Sequence, residues 1–393
     1  MNLLEYQAKR LLGRFAVATP IGQVAASETE AFEAARRLGC DRFAVKAQVP
    51  VLARGALNGI AFASTPDQVR SQARAMIGKP LGGDKRLPSH IVQQVLVEER
   101  IENVREMYAA VTLDRSAGKL VLLASHSGGE GIEERAAADK GLIRRLDLTL
   151  ENNKVVADFA WLAGEIAETP PVASGLANLF RDLADAAVAY DATLIEINPL
   201  ALTNDGRLIA LDVKMTVDDN ALYRRPELAL LRQENDRIAS TATELEAQRF
   251  QINYVPFEGD IGIVVNGAGL ALATYDLVVD AGGRPANFMD VRTTATSLDI
   301  AHGLGLLLAN PAVKSILVNV HGGGMQRCDT IAEGIGIAFR RQQRQVPLVI
   351  CMAGNNAQFA RTVLENSGIR YVDVGDMAEA AAEVVALSRR KAA

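Results

Sequence analysis

Two acids, an amide and a lysine interrupt an otherwise apolar hairpin, and these residue types suit a divalent cation beside a phosphate. The stretch from 194 to 215 reads LIEINPLALTNDGRLIALDVKM, with an Asn-Asp-Gly turn between two apolar runs. If the turn centres on its aspartate, Asn198 faces Asp212 and Glu196 faces Lys214. Since alternate residues of a strand share a face, all four polar side chains are predicted on one face.

This polar face has two interpretations. An amide oxygen beside a carboxylate, Asn198 with Asp212, suits Mg²⁺, because that ion takes hard oxygen ligands and usually keeps waters or phosphates as the others. The alternative is a solvent-facing hairpin in which Glu196 and Lys214 form an ordinary cross-strand ion pair. The stretch alone favours neither interpretation over the other.

Further candidates for ligand binding lie in the first quarter of the chain. Lys46 sits in the apparent strand FAVKAQ, where a lysine can place its charge on phosphate oxygens or remain a solvated edge residue. The next loop holds Arg54 and Gly55, and glycine allows the backbone to approach a ligand closely. Glu98 and Glu106 flank the end of a strand, where carboxylates can accept hydrogen bonds from hydroxyl or amino groups, or simply be solvated.

Three strands in the second half of the chain run into glycine-containing loops that precede helices. Their sequences are IVVNGAG, LVNVHGGGMQRCD and VICMAGNN. Helix N-termini preceded by glycines expose N–H groups and a positive dipole end, so they suit anions. In an open parallel sheet such loops meet at the carboxyl edge, where ligands usually bind. None is a full GxGxxG fingerprint, but together the three predict an anionic ligand.

The elements that must position these residues follow two patterns. Helices and hairpins mix in the first half, which is typical of an α+β domain. Residues 226–258 are charged and largely helical, and we interpret them as a connector. After them strand, glycine loop and helix alternate, which favours a parallel sheet covered by helices. We therefore predict an α/β protein with two domains, 1–240 and 241–393.

Composition excludes several classes of protein. The chain has 393 residues and a net charge of −5 without a basic block, so neither nucleic acid nor a membrane surface is an expected partner. Its 3 cysteines are far apart and show neither zinc spacing nor a disulfide framework. No apolar run resembles a signal peptide or a bilayer-spanning segment, and we expect a cytoplasmic protein.

Several motifs together resemble those of a known family. They are MNLLEYQAKRLL, VKAQV, LIEINPLALT, LDVKMTVDDNALYRRPEL, VNGAGLALATYDLV, GGRPANFMDV, ILVNVHGG, RCDTIAEGI and GNNAQFARTVLENSG. Over nearly the whole chain they are similar to the β subunit of ADP-forming succinyl-CoA synthetase and its close relative, the malate-CoA ligase β subunit. The resemblance implies an ATP-grasp domain followed by a flavodoxin-like, doubly wound CoA-ligase domain.

The resemblance also implies an activity and its partners. A ligase of this kind uses Mg²⁺ and ATP, or GTP, to make an acyl-CoA from a small anionic carboxylic acid such as succinate or malate. It implies a partner α subunit, in a heterodimer or heterotetramer, which binds most of the CoA and carries a histidine that becomes phosphorylated. The phosphoryl group would then pass to the acid, and CoA would cleave the acyl phosphate.

The family's nucleotide site implies roles for five matching residues. Lys46, Arg54 and Gly55 would contact the nucleotide phosphates. Glu98 and Glu106 would contact the nucleoside. Lys46, together with Mg²⁺, would stabilise the charge that moves between oxygens during phosphoryl transfer.

The metal, histidine and acid sites imply a second set of roles. Asn198 and Asp212 would hold Mg²⁺, and Glu196 would steady the visiting phosphohistidine through a hydrogen bond. The substrate acid would be bound by Asn266, Gly322, Gly323 and Gly324.

Three departures from the family pattern leave two readings open. The loop after Lys46 reads PVLARGALNGI and has few glycines. Residues 292–295 read Arg-Thr-Thr-Ala where the family has Gly-Gly-Gly-Ala, and the loop HGGGMQRCD is one residue longer than in the family and begins with His321. In the first interpretation the chain is an active ligase for a different acid, and Arg292 would pair with an extra carboxylate or sulfonate of that acid. Alternatively, the phosphate loops are degraded and the chain is a non-catalytic regulatory paralogue, although the retained Lys46 and Asp212 argue against that. An acid–amine ligase that does without CoA ranks last, because it has no need of the second domain.

Overall fold

The computed structural model describes residues 1–49, 59–81, 90–102, 104–152, 154–239, 242–250, 252–342 and 344–390. The chain divides into two compact units, Met1–Ala239 and Ser240–Ala393. The predicted ligand contacts at Arg54 and Gly55 lie outside the described residues. Within the described ranges, no helix is both long and apolar enough to cross a bilayer.

The N-terminal unit is built mainly from antiparallel strands. Its strands are β1 (Gly22–Ala25), β2 (Phe43–Ala47), β3 (Ile60–Ala63), β4 (Pro80–Leu81), β5 (His90–Ile91), β6 (Val95–Glu99), β7 (Val104–Asp114), β8 (Lys119–Ser125), β9 (Arg144–Asp147), β10 (Thr149–Glu151), β11 (Lys154–Val156), β12 (Ala192–Thr203), β13 (Leu208–Ala210) and β14 (Val213–Val217). Its helices are α1 (Glu5–Leu12), α2 (Glu28–Leu38), α3 (Pro66–Met76), α4 (Ile132–Ala138), α5 (Phe159–Ile166), α6 (Pro170–Ala189) and α7 (Pro226–Ala239).

A small antiparallel sheet with the order β1-β6-β2-β3 carries the first polar candidates. Helix α2 packs against it; Ser27 caps the start of this helix by accepting from the Glu30 N–H, and Gly39 ends it at φ 63°. In the β2–β6 ladder Glu98 pairs with Ala44, and Ala44 lies two residues before Lys46 on the same strand. Paired and alternate residues share a face, so the sheet places Lys46 and Glu98 on the same side.

A larger antiparallel sheet carries the polar hairpin. Its order is β13-β12-β7-β8-β9, with β14 also paired to β12. Helices α1, α5 and α6 cover one face and bury Leu11, Phe180 and Leu183 in one apolar cluster. Across the hairpin Glu196 pairs with Lys214, which confirms the register predicted from the turn. The polar residues of β12 are therefore held at fixed positions by a long, well-packed strand.

The C-terminal unit alternates strands and helices. Its strands are β15 (Ile252–Pro256), β16 (Ile261–Val265), β17 (Asn287–Val291), β18 (Ser315–Gly322), β19 (Leu348–Gly354) and β20 (Val372–Asp373). Its helices are α8 (Ala242–Arg249), α9 (Ala268–Asp280), α10 (Ser297–Ala309), α11 (Cys328–Arg341), α12 (Ala357–Asn366) and α13 (Met377–Arg389).

The six strands of this unit form one sheet in the order β15-β17-β16-β18-β19-β20. Strands β16 to β20 are parallel, and β17 and β18 lie on opposite sides of β16, which is the flavodoxin-type order. Consecutive residues of the strands enter different apolar clusters: Val264 packs on one face of the sheet and Ile263 on the other. The prediction of a parallel sheet covered by helices is confirmed.

One sequence interpretation was confirmed for residues 226–239 and 242–249, which are helical, but was wrong for the strand that follows them. The segment 226–258 was expected to be a largely helical connector, but Ile252–Pro256 forms strand β15. This strand pairs antiparallel with β17, with Tyr254 opposite Met289. The strand was not predicted because it contains Asn and Pro, which are uncommon in strands. Proline is tolerated at a sheet edge because the missing N–H faces away from the ladder.

Candidate active site

A cavity of about 820 Å³ in the N-terminal unit brings several predicted residues together. Lys46 and Glu98 border it from the small sheet, and Asp212 borders it from the hairpin. Glu106 on β7 also lines the wall, and so does Glu130, which sequence reasoning did not single out. Among the described residues the wall combines six carboxylates, the four named above with those of Glu99 and Glu102, with the Lys46 ammonium group and the guanidinium groups of Arg42 and Arg100. Such a lining would suit a ligand accompanied by cations.

Behind this wall, two lysines and two glutamates form a compact ionic cluster. Lys46 Nζ donates to Glu5 Oε1 at 2.9 Å and to the carbonyl of Leu211 at 2.6 Å, and it forms an ion pair with Glu98. Lys9 Nζ lies 2.8 Å from Glu5 Oε1, 2.8 Å from Glu98 Oε2 and 2.7 Å from the same Leu211 carbonyl. All four charged side chains are buried. We call them the quartet.

The quartet keeps Lys46 charged. Burial alone disfavours an ammonium group, but the carboxylates of Glu5, Glu98 and Asp212 outweigh it and raise the pKa of Lys46 above its ordinary value. Two cations and two anions leave the quartet neutral, as expected of buried charges that are paired. Lys46 therefore retains its positive charge at any physiological pH, as contact with a phosphate requires.

The structure thus gives Lys46 and Glu98 contacts that the sequence did not predict. Both border the cavity, but their charged groups are bonded to each other and to residues from helix α1. Glu5 and Lys9 were missed because a charged pair four positions apart is common on exposed helix surfaces. The proposed contacts of Lys46 with phosphates and of Glu98 and Glu106 with a nucleoside remain predictions.

The predicted cation ligands lie at the middle of the hairpin. The Asn198 N–H donates to the Asp212 carbonyl at 3.1 Å, so the two residues face each other across β12 and the following chain. The Asn198 amide is oriented by Gly129, whose N–H donates to Oδ1 at 2.7 Å and whose carbonyl accepts from Nδ2 at 3.3 Å. Gly129 has φ 83°, and a Cβ there would lie 2.2 Å from Glu106 Oε2.

These residues fit a Mg²⁺ ion that is only partly ligated by protein. The amide oxygen of Asn198 and the carboxylate of Asp212 are the hard donors that the ion prefers. No group of three or more His, Cys, Asp or Glu side chains suited to a metal occurs among the described residues. A cation held here would therefore take its remaining ligands from phosphate oxygens or water, which is the usual arrangement for Mg²⁺ with a nucleotide.

Glu196 occupies a separate position on the same hairpin. Lys214 Nζ donates to Glu196 Oε1 at 2.6 Å, and both side chains are largely but not fully buried. Burial raises the pKa of the neighbouring Tyr108 well above its ordinary value, and the negative charges of Glu196 and Glu133 add to that effect. Tyr108 therefore stays neutral, and the Glu196 carboxylate can still accept a hydrogen bond from a partner donor.

The C-terminal unit brings two of its glycine loops together where the strand order reverses. Asn266, after β16, donates through Nδ2 to the His321 carbonyl at 2.8 Å and accepts from the His321 N–H at 2.9 Å. This reciprocal pair ties the carboxyl ends of β16 and β18. In doubly wound sheets that point is the usual ligand crevice.

The three loop glycines at this point are not equivalent. A Cβ on Gly322 would lie 2.5 Å from the Asn355 carbonyl, so only glycine fits there. A Cβ on Gly323 or Gly324 would meet nothing within 4 Å, so these two leave room for a ligand.

Arg292, the predicted partner of an extra acidic group, donates from Nε and Nη2 to Asn253 Oδ1 at 3.2 and 3.1 Å. The substrate contacts of all these residues remain predictions.

Comparison with protein families matches both halves of the chain. Residues 2–202 match the ATP-grasp domain family, and residues 264–385 match the CoA-ligase family. The order of the two matches is the order predicted from the sequence motifs. The fold is thus an ATP-grasp domain followed by a CoA-ligase domain.

Comparison with individual proteins covers nearly the whole chain. The succinate–CoA ligase [ADP-forming] subunit beta of Methylobacillus flagellatus is 41% identical over 394 residues, which cover 98% of this chain and 99% of that protein. The subunit of the same name from Thiobacillus denitrificans is 42% identical over 386 residues, covering 97% and 98%. A solved structure of ATP citrate lyase from Methanothrix soehngenii, in complex with citrate and coenzyme A, shares the fold with a TM-score of 0.73, 15% identity and 95% coverage of each chain.

Proposed function

Because the chain belongs to the family of β subunits of ADP-forming succinate–CoA ligases, we propose that it is the nucleotide-binding subunit of such a ligase. The two β subunits compared above are named for succinate; for this chain we propose succinate, malate or a related small anionic acid. The observation that carries the proposal is the meeting of Lys46, Glu98 and Asp212 around one cavity, with Asn198 opposite Asp212. The ligand of that cavity is then a nucleoside triphosphate, with ATP proposed before GTP.

In this proposal the N-terminal unit orients the triphosphate. Lys46 places a permanent positive charge on the phosphate oxygens, and Asn198 and Asp212 hold the Mg²⁺ that accompanies the nucleotide. When bound, Mg²⁺ neutralises charge that develops on those oxygens. Glu106 and Glu98 face the nucleoside end of the cavity. Gly129 fixes the orientation of the Asn198 amide by donating to Oδ1 and accepting from Nδ2, and an amide oxygen has a second lone pair for a cation.

Glu196 is proposed to receive a histidine from a partner subunit. Its carboxylate already accepts a hydrogen bond from Lys214, which limits its rotation. An imidazole nitrogen that donates to Glu196 would have its other nitrogen free to take a phosphoryl group. The partner is then an α subunit that supplies this histidine and most of the CoA site, in a heterodimer or a heterotetramer.

The C-terminal unit is proposed to bind the acid. Asn266 and the glycine loop at 322–324 lie together at the switch point of the sheet, and main-chain N–H groups there suit a carboxylate. Arg292 stands where the family has glycine and is proposed to select the acid's second anionic group. In that role it exchanges its present acceptor, Asn253 Oδ1, for the substrate.

Phosphohistidine formation provides the first test. The full-length chain is incubated with Mg²⁺, labelled ATP and the cognate α subunit, and acid-labile phosphate on α is measured. Asp212→Asn is expected to lower the rate at least about 100-fold, since several kcal/mol of charge stabilisation correspond to that factor. Asp147→Asn, an exposed acid of the same unit, is the matched control and should keep the wild-type rate. No phosphohistidine under any condition would favour the non-catalytic paralogue instead.

An acid panel provides the second test. Acyl-CoA formation is measured with succinate, malate and other small dicarboxylates and sulfonates at equal concentration. One acid is expected to exceed the rest by at least about tenfold, as a built anion site requires. Arg292→Gly should erase that preference while ATP-dependent phosphorylation of α is retained. A panel in which all acids react equally slowly would contradict the proposed acid site.

A further inference from the structure

Two buried polar atoms at the start of helix α11 lack a hydrogen-bond partner. Gln326 precedes the first residue of the helix by two positions and is 3% exposed, and Asp329 lies in its first turn and is 5% exposed. Across the part of the chain that the structure describes, neither Gln326 Nε2 nor Asp329 Oδ1 has a partner. Buried polar atoms are nearly always paired, so an unpaired donor and an unpaired acceptor three positions apart indicate a bound group that is not part of this chain.

Other atoms of both residues are engaged, and these contacts fix where the two residues lie. The Gln326 carbonyl accepts from the Gly323 N–H at 2.9 Å and closes a turn of the glycine loop. Asp329 Oδ2 accepts from Asn356 Nδ2 at 3.1 Å and lies 3.2 Å from Arg327 Nη2. Gln326 therefore keeps an amide donor, and Asp329 keeps one carboxyl oxygen, for a group from outside.

The same contacts place the two atoms beside the proposed acid site. Asn355, which precedes Asn356, donates from Nδ2 to the Gly323 carbonyl at 3.5 Å, so one short segment touches both the glycine loop and Asp329. A Cβ on Gly323 or Gly324 would meet nothing within 4 Å, so space for an acid lies next to the turn. The two unpaired atoms are enclosed, and the glycines allow the turn to move when an acid enters.

Few chemical groups satisfy both atoms at once. A carboxylate oxygen accepts from the Gln326 amide but has no hydrogen for Asp329 Oδ1, and an ammonium group donates to Asp329 but cannot accept. A methylene does neither and would leave both buried atoms unpaired. A hydroxyl accepts one hydrogen bond and donates another, so it satisfies both.

We propose that Gln326 and Asp329 determine the acid specificity by receiving a hydroxyl group of the substrate, which is then a hydroxylated dicarboxylate and not succinate. The inference rests on the proposed function, because it needs an acid at the glycine loop. Asn266 and the N–H groups of the loop bind a carboxylate that both acids have, whereas Gln326 and Asp329 distinguish the two. A site that hydrogen-bonds a substrate hydroxyl rejects the analogue without it, because the buried groups of the site are then left unpaired.

The test compares malate with succinate, which differ only by the hydroxyl group. The kcat/KM for acyl-CoA formation is measured for the full-length chain in complex with its cognate α subunit. Wild type is expected to favour malate at least about tenfold. Gln326→Met keeps the length of the side chain and removes the amide, so it should lower the ratio of malate to succinate at least about tenfold, through loss of malate activity. Gln342→Met makes the same substitution at the far end of α11 and should leave the ratio unchanged.

A second measurement needs no variant, so it decides the matter even where Gln326→Met does not fold. Fluorosuccinate and aspartate replace the hydroxyl of malate by fluorine, which cannot donate a hydrogen bond, and by an ammonium group, which cannot accept one. Each is expected to react on wild type with a kcat/KM at least about tenfold below that of malate. ATP-dependent phosphorylation of α, measured without any acid, should be the same for wild type and both variants.

The outcomes distinguish the inference from the function on which it rests. If wild type uses succinate as well as malate, or if Gln326→Met lowers both activities equally, the two atoms hold a water molecule and the inference is overturned, while the ligase function stands. Fluorosuccinate or aspartate reacting as well as malate also overturns it. If α is not phosphorylated and no acid yields an acyl-CoA, the proposed function and the inference fall together.

Discussion

Replacing Glu98 by glutamine is the most direct test of the ionic character of the quartet. The substitution keeps the size of the side chain and removes its charge. Glu98 accepts from Lys9 Nζ at 3.0 and 2.8 Å and pairs with Lys46, and it is 2% exposed. After the change, two buried ammonium groups share the single carboxylate of Glu5. The amide nitrogen of glutamine also places a donor where both lysines need an acceptor.

The structure sets the size of the expected effect. Removing one partner of a buried ion pair costs about 3–5 kcal/mol, because it leaves an uncompensated charge. For a unit of this size each kcal/mol lowers the midpoint of unfolding by about 2–4 °C. Glu98→Gln should therefore lower the midpoint of the N-terminal unit by roughly 6–20 °C. The measurement is made at pH 7.

Differential scanning calorimetry of the full chain measures this shift. The matched control is Glu227→Gln, which removes an ion pair with Arg14 at 2.7 Å. The side chains of Glu227 and Arg14 are 42% and 54% exposed, respectively. An exposed pair of this kind contributes about 0–1 kcal/mol, so the control should remain close to wild type. If Glu98→Gln unfolds within about 2 °C of wild type, the quartet does not stabilise the unit as a set of ion pairs and the reasoning above is refuted.

Three further predictions follow from other parts of the chain. Cys328 and Cys351 are buried, and burial raises the pKa of both thiols. At pH 8 Ellman's reagent should therefore modify at most Cys40 in the folded protein and all three thiols after unfolding. Rapid labelling of more than one thiol in the folded protein would contradict this. Gly354 has φ 85°, and a Cβ there would lie 2.3 Å from the Gly322 carbonyl oxygen, so Gly354→Ala should lower the free energy of unfolding in urea by about 2 kcal/mol or more. Gly323→Ala is the control and should lower it little, because a Cβ there meets open space. Equal losses in the two variants would show that the turn relaxes. The Arg224 guanidinium lowers the pKa of Asp191, with help from Arg225 and against the effect of partial burial, so Asp191→Asn should be less stable than wild type at pH 7. The difference should shrink as the pH falls from about 4 through the lowered pKa of Asp191; a difference that does not shrink at all over this acid range would refute the ionic origin.

The hairpin shows what local sequence rules can fix. A tight Asn-Asp-Gly turn and the two-residue period of strands are enough to place Glu196 opposite Lys214 and Asn198 opposite Asp212. Both rules depend only on residues within about ten positions of the turn. The same holds for the strand–loop–helix alternation of the C-terminal unit, which depends on local periodicity.

The quartet shows what local rules cannot reach. Lys9 and Glu98 are 89 positions apart, and the Leu211 carbonyl is 202 positions from Lys9. No periodicity within α1 tells that its charged face turns inward rather than to solvent. The orientation of the Asn198 amide by Gly129 is likewise a long-range contact, 69 positions apart. The glycine-rich run around 127–131 is the only local signal for it, because glycines permit close approach of a loop to a side chain.

The two edges of the C-terminal sheet limit how this unit can associate. At one edge the antiparallel strand β15 ends on Pro256, and at the other β20 has only 2 residues. Among the residues that the structure describes, neither edge offers a long row of unsatisfied backbone groups to a strand from another chain. Association of this unit through helix surfaces or loop ends would take its specificity from side chains, whereas edge-to-edge pairing would take it from the backbone.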